Sequence, residues 1–369
     1  MKVVASWIAG ILLGATSVRH VRRLAVTLAT LVTSIAVCVV SAQAGVERVT
    51  SHGPSFRGFS AFAVNPRDAQ VVYAGSGNGV FKSTDAGGSW EAVNVGLTQR
   101  YVLDLAIEQH RPATLYAATD GGVFKSPNGA GSWRKMSMPP GVEGRDWAVS
   151  LALHPRNPQV IYAGTDDRVY KSADAGASWR KVLTARRVYA IALDPKQPAT
   201  VYAGSGGGVF KSTDAGRSWK ARSVGLFPNE TPNGHNLAEG FIHAIVVNSR
   251  HPQTLYLGSQ RGVFKSTDGA RTWRRLRSAG LGGLVSSLVI DPERPQTLYA
   301  ENKVPGLFKT TNGGGRWLRV GPRGSGNVSA LTLDPTDPDT IYAGMFAGAK
   351  AFKSTDGGRT WNALAMPVP

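Results

Sequence analysis

A phrase of about twenty residues returns seven times along this chain, and every return ends in tryptophan. It reads VVYAGSGNGVFKSTDAGGSW at 71–90, TLYAATDGGVFKSPNGAGSW at 114–133 and VIYAGTDDRVYKSADAGASW at 160–179. It continues at 200–219, 254–273, 297–317 and 340–361. The tyrosines at 73, 116, 162, 202, 256, 299 and 342 keep a period of 40 to 54 residues. A period in this range means stacked or radial repeats, each too small to bury its own apolar face alone.

An apolar run precedes each phrase and ends at an acidic or proline-rich turn, as in AIALDPKQPAT before Tyr202 and ALTLDPTDPDT before Tyr342. One unit therefore reads strand, Asp-Pro turn, strand, glycine turn, strand, Asp/Gly turn, strand. Four short strands in that span make one propeller blade. The expected fold is all-β: a single seven-bladed β-propeller of four-stranded blades, at about 46 residues per blade over 45–369. The blades fall at approximately 56–96, 100–138, 147–184, 187–226, 241–279, 284–321 and 327–366. In the first strand of blade 4, Ala190 and Ala192 alternate with Ile191 and Leu193. Alternation of small and bulky faces gives the taper that blades need around an axis.

Gly206, Gly207 and Gly208, followed by Lys211 and Ser212, suggest a phosphate-binding loop at first sight. Such a loop needs glycine directly before the lysine and a helix after it. Phe210 stands in that place, and the glycines do not persist among the copies. They are expected to turn a hairpin.

Residues 1–44 differ in kind. Lys2, Arg19, Arg22 and Arg23 lie there without an acidic residue, ahead of the apolar run LAVTLATLVTSIAVCVV and a small-residue end at Ser41-Ala42-Gln43-Ala44. This pattern predicts a signal peptide cleaved near Ala44 and a periplasmic or extracellular protein, membrane-anchored if uncleaved. The sole cysteine, Cys38, lies in this leader. The mature chain then needs no disulfide and excludes thiolate metal sites and cysteine nucleophiles. No metal, cofactor or disulfide-linked partner is expected, and the expected state is a monomer.

The net charge of +18 falls to about +14 without the four cations of the leader. Such a balance attracts polyanions or acidic surfaces. Export favours an acidic protein surface, an anionic glycan or a membrane-associated complex over nucleic acid.

The last turn of each unit follows S-x-D-x-G-x-x-W, as in Ser212-Thr213-Asp214-Ala215-Gly216-Arg217-Ser218-Trp219. It resembles the Asp-box, or bacterial neuraminidase repeat, of sialidases, sortilin-type receptors, xyloglucanase-type glycosidases and the photosystem II assembly-factor family. The box residues are Asp85, Asn128, Asp174, Asp214, Asp268, Asn312 and Asp356. A short Asp or Asn side chain accepts backbone N–H bonds across its own turn, and Asn keeps that role without charge. The box is accordingly read as structural, and the resemblance likewise implies that it lies away from any catalytic centre. A lysine precedes each box (Lys82, Lys125, Lys171, Lys211, Lys265, Lys309, Lys353). Its stem is expected to cover apolar surface while its amine reaches water.

Asp-Pro turns and boxes should share one rim. The other rim gathers the glycine turns and the links between blades, where the copies differ and where function usually resides. Candidate binding residues on it are Arg100, Tyr101, Arg145, Trp147, Arg186, Arg187, His235 and Arg261. Arginine beside aromatics is the composition of a recognition surface. The rival is a glycoside hydrolase, which needs two carboxylates flanking one bond. Glu143, Asp146, Glu230, Glu239 and Asp104 are its candidates, although Asp104 also suits a paired group between blades. Two departures weaken the hydrolase: no F-R-I-P-like arginine motif precedes the first box, and xyloglucanase-type enzymes set their cleft between two propellers. The photosystem II assembly-factor resemblance implies instead a non-catalytic binding scaffold.

Overall fold

The computed structural model describes residues 38–43, 46–51, 58–139, 147–226, 240–277, 281–302, 306–322, 328–345 and 350–366. The chain divides into Met1–Val37, outside these residues, and Cys38–Pro369, which carries every described strand. No helix among the described residues is long and apolar enough to cross a membrane.

Seven antiparallel sheets form the seven blades of a β-propeller, each sheet running in chain order. In blade 4 the strands are Ala190–Leu193, Val201–Ser205, Gly208–Ser212 and Lys220–Ala221. The innermost strands of the others are Phe59–Val64, Val102–Ile107, Ala148–Leu153, Ile242–Val247, Val285–Ile290 and Val328–Leu333. All of their residues are buried. Near-continuous apolar runs such as AVSLAL and IHAIVV are what a strand covered on both faces requires. The outermost strands are two to five residues long and polar, like Glu91–Ala92 and Arg134–Lys135. Short, charged edges resist pairing with another chain.

The core lies between blades rather than within them. Leu105 and Ile107 of blade 2 pack with Ala61, Tyr73 and Val80 of blade 1. The ring closes where Phe59, Phe62 and Phe81 of blade 1 meet Ala330 and Tyr342 of blade 7. Ser329 Oγ donates to Phe59 O at 2.6 Å across the same seam. The first sheet carries two further strands, Cys38–Gln43 paired with Val46–Ser51, joined to blade 1 at Thr50 opposite Ala61. Cleavage at Ala44, itself outside the described residues, would remove the first of these two strands.

The closing turns are held as their residue types dictate. In blade 1, Ser83 Oγ donates to Asp85 Oδ1 at 2.7 Å and accepts from Gly87 N at 2.7 Å. Asp85 Oδ1 and Oδ2 accept from Ser89 N and Ser89 Oγ. Asn128 keeps the pattern, accepting from Ser126 Oγ and Ser132 N while its Nδ2 donates to Ser132 Oγ. The structural role of these residues needs a hydrogen-bonding oxygen, not a charge.

The lysines before the boxes depart from the solvent-facing position expected of them. Lys125 Nζ and Tyr116 OH both donate to Ala175 O in blade 3, at 3.1 and 3.3 Å. The same pair recurs from blade 3 to Ala215, from blade 5 to Gly313, from blade 6 to Gly357 and from blade 7 to Ala86. In blade 4, Lys211 Nζ donates to Gly269 O at 2.9 Å. Each amine also lies over its tyrosine ring, at 5.1 to 5.9 Å from the centroid in all seven blades. The stem does cover apolar surface, but in blades 2 to 7 the amine ends on a backbone carbonyl of the next blade in the ring. Burial lowers the pKa of Lys125, Lys171, Lys211, Lys265 and Lys309. It pushes the Tyr73 and Tyr256 hydroxyls up to about 12.

Candidate binding rim

Two hydrogen-bond sets assign the rims. Ala86 N, in a box, donates to Gln70 O in the first turn of its blade, and the equivalent bond recurs in all seven blades. Box and first turn therefore share one rim, as expected from the sequence. On the other rim, Gly206 N donates to Arg186 O at 2.8 Å and to Arg187 O at 3.2 Å. The glycine hairpin thus holds the link that enters its own blade. It joins two strands, with Ser205 opposite Gly208.

The residue just before each innermost strand sits at the mouth of the ring on this second rim. Ser60 Oγ bonds Val102 O, Ser150 Oγ bonds Val188 O and Ser329 Oγ bonds Phe59 O. Ala61, Asp104 and Ala190 lie opposite Gly75, Ala118 and Gly204 in the same register, so Phe59, Val102 and Val188, each two residues earlier, are equivalent. The residues one step earlier in blades 2, 3, 4 and 5 are Tyr101, Trp147, Arg187 and Phe241. Four consecutive blades therefore present flat aromatic or guanidinium groups at one position. Blades 1 and 6 carry Gly58 and Leu284 there.

A register shift in the innermost strand redirects the next side chains. It falls between Ile242 and Ala244 in blade 5, at His243, and at the equivalent place in blades 1, 2, 3, 6 and 7. A β-bulge re-aims one side chain while the strand continues. His243 stacks on Tyr189 at 5.4 Å between centroids, with the planes 7° apart. Phe241 lies 5.8 Å from the Tyr189 ring. The Arg187 guanidinium sits 5.5 Å from the Phe241 centroid, a cation–π arrangement. Burial raises the Tyr189 hydroxyl, and the Arg187 charge beside it works in the opposite direction.

Arg187 has a φ of 51°, in the left-handed region that non-glycine residues seldom adopt. Its backbone is fixed by the Gly206 bond and by Arg187 N donating to Asp166 O. Gly206 is itself constrained by space: a Cβ there would come within 2.8 Å of the Phe241 ring. Arg186 and Arg100 are exposed, while Tyr101, Trp147 and Arg261 are half-buried. Burial, with the Asp120 charge, lifts the Tyr101 hydroxyl to about 12, and burial raises the Asp120 carboxyl.

Among the hydrolase candidates, Glu143, Asp146, Glu230 and Glu239 lie outside the described residues, as do Arg145 and His235 of the binding set. Asp104 is described. It is fully buried, and its Oδ2 accepts from Leu151 N of blade 3 at 2.7 Å, the paired position between blades. Sequence reasoning missed the places of Phe241 and Glu301. Glu301 is fully buried, opposite Ser287, where five blades have glycine and one has Ala118. The break from YAG to YAE was its visible signal. No cluster of three or more potential metal-binding side chains occurs among the described residues.

No family model matches the chain. A curated protein of Neosartorya fischeri, a probable oligoxyloglucan-reducing end-specific xyloglucanase, is 32% identical over 82 residues, covering 21% of this chain. The chain spans only 10% of that relative's length. Among solved structures, a GH74 enzyme from Niastella koreensis is similar with a TM-score of 0.62 and 16% identity, over 81% of this chain and 53% of that one. The extracellular domain of the BT4673 two-component system of B. thetaiotaomicron gives 0.61 at 13% identity, over 83% and 39%. The structure of YCF48 bound to D1 peptide gives 0.59 at 13% identity, over 83% of this chain and 95% of that one. At such identities these likenesses establish the propeller fold alone.

Proposed function

We propose that this chain is an exported, non-catalytic propeller that binds an acidic protein or anionic glycan through the mouth of its variable rim. The observation that carries the reading is the arc of Tyr101, Trp147, Arg187 and Phe241 at one position of four consecutive blades, flanked by exposed Arg100 and Arg186. Aromatic and arginine side chains dominate binding energy where they are held rigidly. The stacking of Arg187 on Phe241 and the bonds from Gly206 hold this part of the arc in place before any partner arrives. The one described hydrolase candidate, Asp104, is buried between blades. Similarity in overall extent to a peptide-bound YCF48 supports the same reading.

The test is retention on immobilised polyglutamate and on a uronate polysaccharide at moderate salt. Substituting Arg145, Arg186 and Arg187 together with glutamine should abolish retention on the matrix that holds the parent protein. Retention unchanged by the triple substitution would overturn the proposal. The short stretch of similarity to a xyloglucanase supports a glycoside hydrolase as the second reading. Turnover of xyloglucan oligosaccharides that disappears in Glu143→Gln or Glu239→Gln would establish it.

A further inference from the structure

The outer edge of the ring is basic over blades 2 to 6 and most strongly so at blades 4, 5 and 6. From box to outermost strand, blades 4, 5 and 6 (214–224, 268–277, 312–320) hold nine lysines and arginines against two aspartates. The equivalent stretches of blades 2 and 3 (128–138, 174–184) hold four lysines and arginines against one aspartate. The matching stretches of blades 1 and 7 (85–95, 356–366) hold one arginine against three acids. The two aspartates of the blade 4–6 stretches, Asp214 and Asp268, are engaged by Ser218 and Thr272 within their own turns. None of the nine cations joins an ion pair among the described residues. Their field is felt inside the blades, where Arg222 and Arg271 add to burial in lowering the pKa of Lys211, and Arg274 does so at Lys265.

Protection of an edge strand accounts for polar residues there. It does not account for where the cations gather, since Glu91 and Asn362 serve at the same position in blades 1 and 7. Nor does it account for Leu318. Six blades place Glu91, Arg134, Arg180, Lys220, Arg274 or Asn362 directly after the box tryptophan; blade 6 places Leu318, 55% exposed, between Arg316 and Arg319. Val224, at the end of the blade 4 stretch, is 67% exposed, but its counterpart Val95 in acidic blade 1 is 70% exposed, so Leu318 is the aliphatic side chain particular to the basic sector. Cations around an exposed leucine match an interface that is anionic at its surface and apolar just beneath. A soluble polyanion offers the charge without the apolar layer.

We propose that the outer edge of blades 4–6 docks on an anionic lipid bilayer, with the arginines on headgroup phosphates and Leu318 at the acyl boundary. This surface is built from outermost strands and is separate from the mouth formed by the innermost ones.

Sedimentation of the full chain with phosphatidylcholine vesicles, with and without phosphatidylglycerol, tests it. Binding is expected only with phosphatidylglycerol and should weaken with salt. Replacing Lys220, Arg274, Arg275 and Arg277 together with glutamine should lower partitioning roughly ten-fold or more. Leu318→Ser should lower vesicle binding several-fold and leave retention on heparin unchanged. Arg186→Gln with Arg187→Gln should bind vesicles like the parent, so a failed rim and a failed edge are told apart. All of these side chains are exposed or half-buried, and an unchanged melting temperature checks the fold. Absent binding to phosphatidylglycerol vesicles, or unchanged binding in the four-fold glutamine variant, would refute the proposal. So would a Leu318→Ser protein that binds vesicles normally while the glutamine variant loses both vesicles and heparin. That last result would mark a surface for soluble polyanions.

Discussion

Lys353 Nζ donates to the backbone carbonyl of Ala86 at 3.1 Å, across 267 residues of chain, and Tyr342 OH meets the same oxygen at 3.1 Å. The lysine bond that passes from each of blades 2 to 6 to the blade that follows thus also closes the ring between its last blade and its first. A buried acceptor stripped of both donors costs about 1–3 kcal/mol. Lys353→Met with Tyr342→Phe keeps the apolar stems and removes both donors. Urea unfolding should show a loss of about 1–3 kcal/mol. If the double variant matches the parent in midpoint and slope, the seam bonds contribute nothing.

The repeat tyrosines set the alkaline limit. Their pKa values are raised in the fold, to about 12 for Tyr73 and Tyr256, against an ordinary value of 10. Their contribution is complete below pH 10 and is lost as pH rises through the folded values, because only the unfolded chain releases the proton early. The lysines with lowered pKa act with the opposite sign, adding stability as pH climbs toward 10.5. Stability should therefore hold through pH 9 and collapse above about pH 10, with tyrosinate absorbance appearing together with loss of the β-sheet signal. Tyrosinate formed well before unfolding would contradict this.

Acid acts on the boxes. Serine and backbone donors hold Asp85 and Asp174 at about 2, below the usual 3.8. A carboxylate with a lowered folded pKa contributes stability above pH 3.8 that is lost as pH falls through about 2. Asn128 and Asn312 make the same bonds without titrating. Asp85→Asn with Asp174→Asn should match the parent at pH 7 and lose less stability between pH 4 and pH 2. An equal acid loss in both proteins would place the acid sensitivity elsewhere.

How much could be read beforehand depended on whether an interaction repeats in sequence. Tyrosine, lysine and tryptophan at fixed places within a blade-sized period made the seven blades and both rims legible. The lysines were misassigned because their acceptor is a backbone carbonyl in the next blade, and a carbonyl leaves no mark on composition. Which rim arginine meets which ring was not legible. That Arg187 lies over Phe241, and His243 over Tyr189, follows from blade-to-blade equivalence and from a bulge that no single stretch of sequence displays.

Two residues in each box turn lie in the left-handed region, and the first of them is alanine in some copies. Ala86 and Ala215 have φ of 55° and 58°, where Gly269, Gly313 and Gly357 serve in blades 5 to 7. Left-handed backbone costs an L-residue about 1–2 kcal/mol, and the extra freedom of unfolded glycine returns part of it. Ala86→Gly or Ala215→Gly should therefore stabilise by about 0.5–1 kcal/mol, read as a raised urea midpoint. A lowered midpoint would mean that the methyl contacts outweigh the strain.

Gly206 offers a test of the rim that leaves every charge in place. Its φ is not in the left-handed region, so alanine suits the backbone, yet the added methyl would lie 2.8 Å from the Phe241 ring. That ring carries the Arg187 guanidinium and packs on Tyr189. At Gly207 the same methyl meets nothing nearer than Ser205 Oγ at 3.7 Å. Gly206→Ala should displace Phe241 and Arg187 together, at a cost of about 1 kcal/mol for overpacking. Retention on the acidic matrix should weaken several-fold, while Gly207→Ala behaves as the parent. If both variants bind alike, the position of Arg187 over Phe241 does not govern recognition, and the partner is held by the exposed arginines alone.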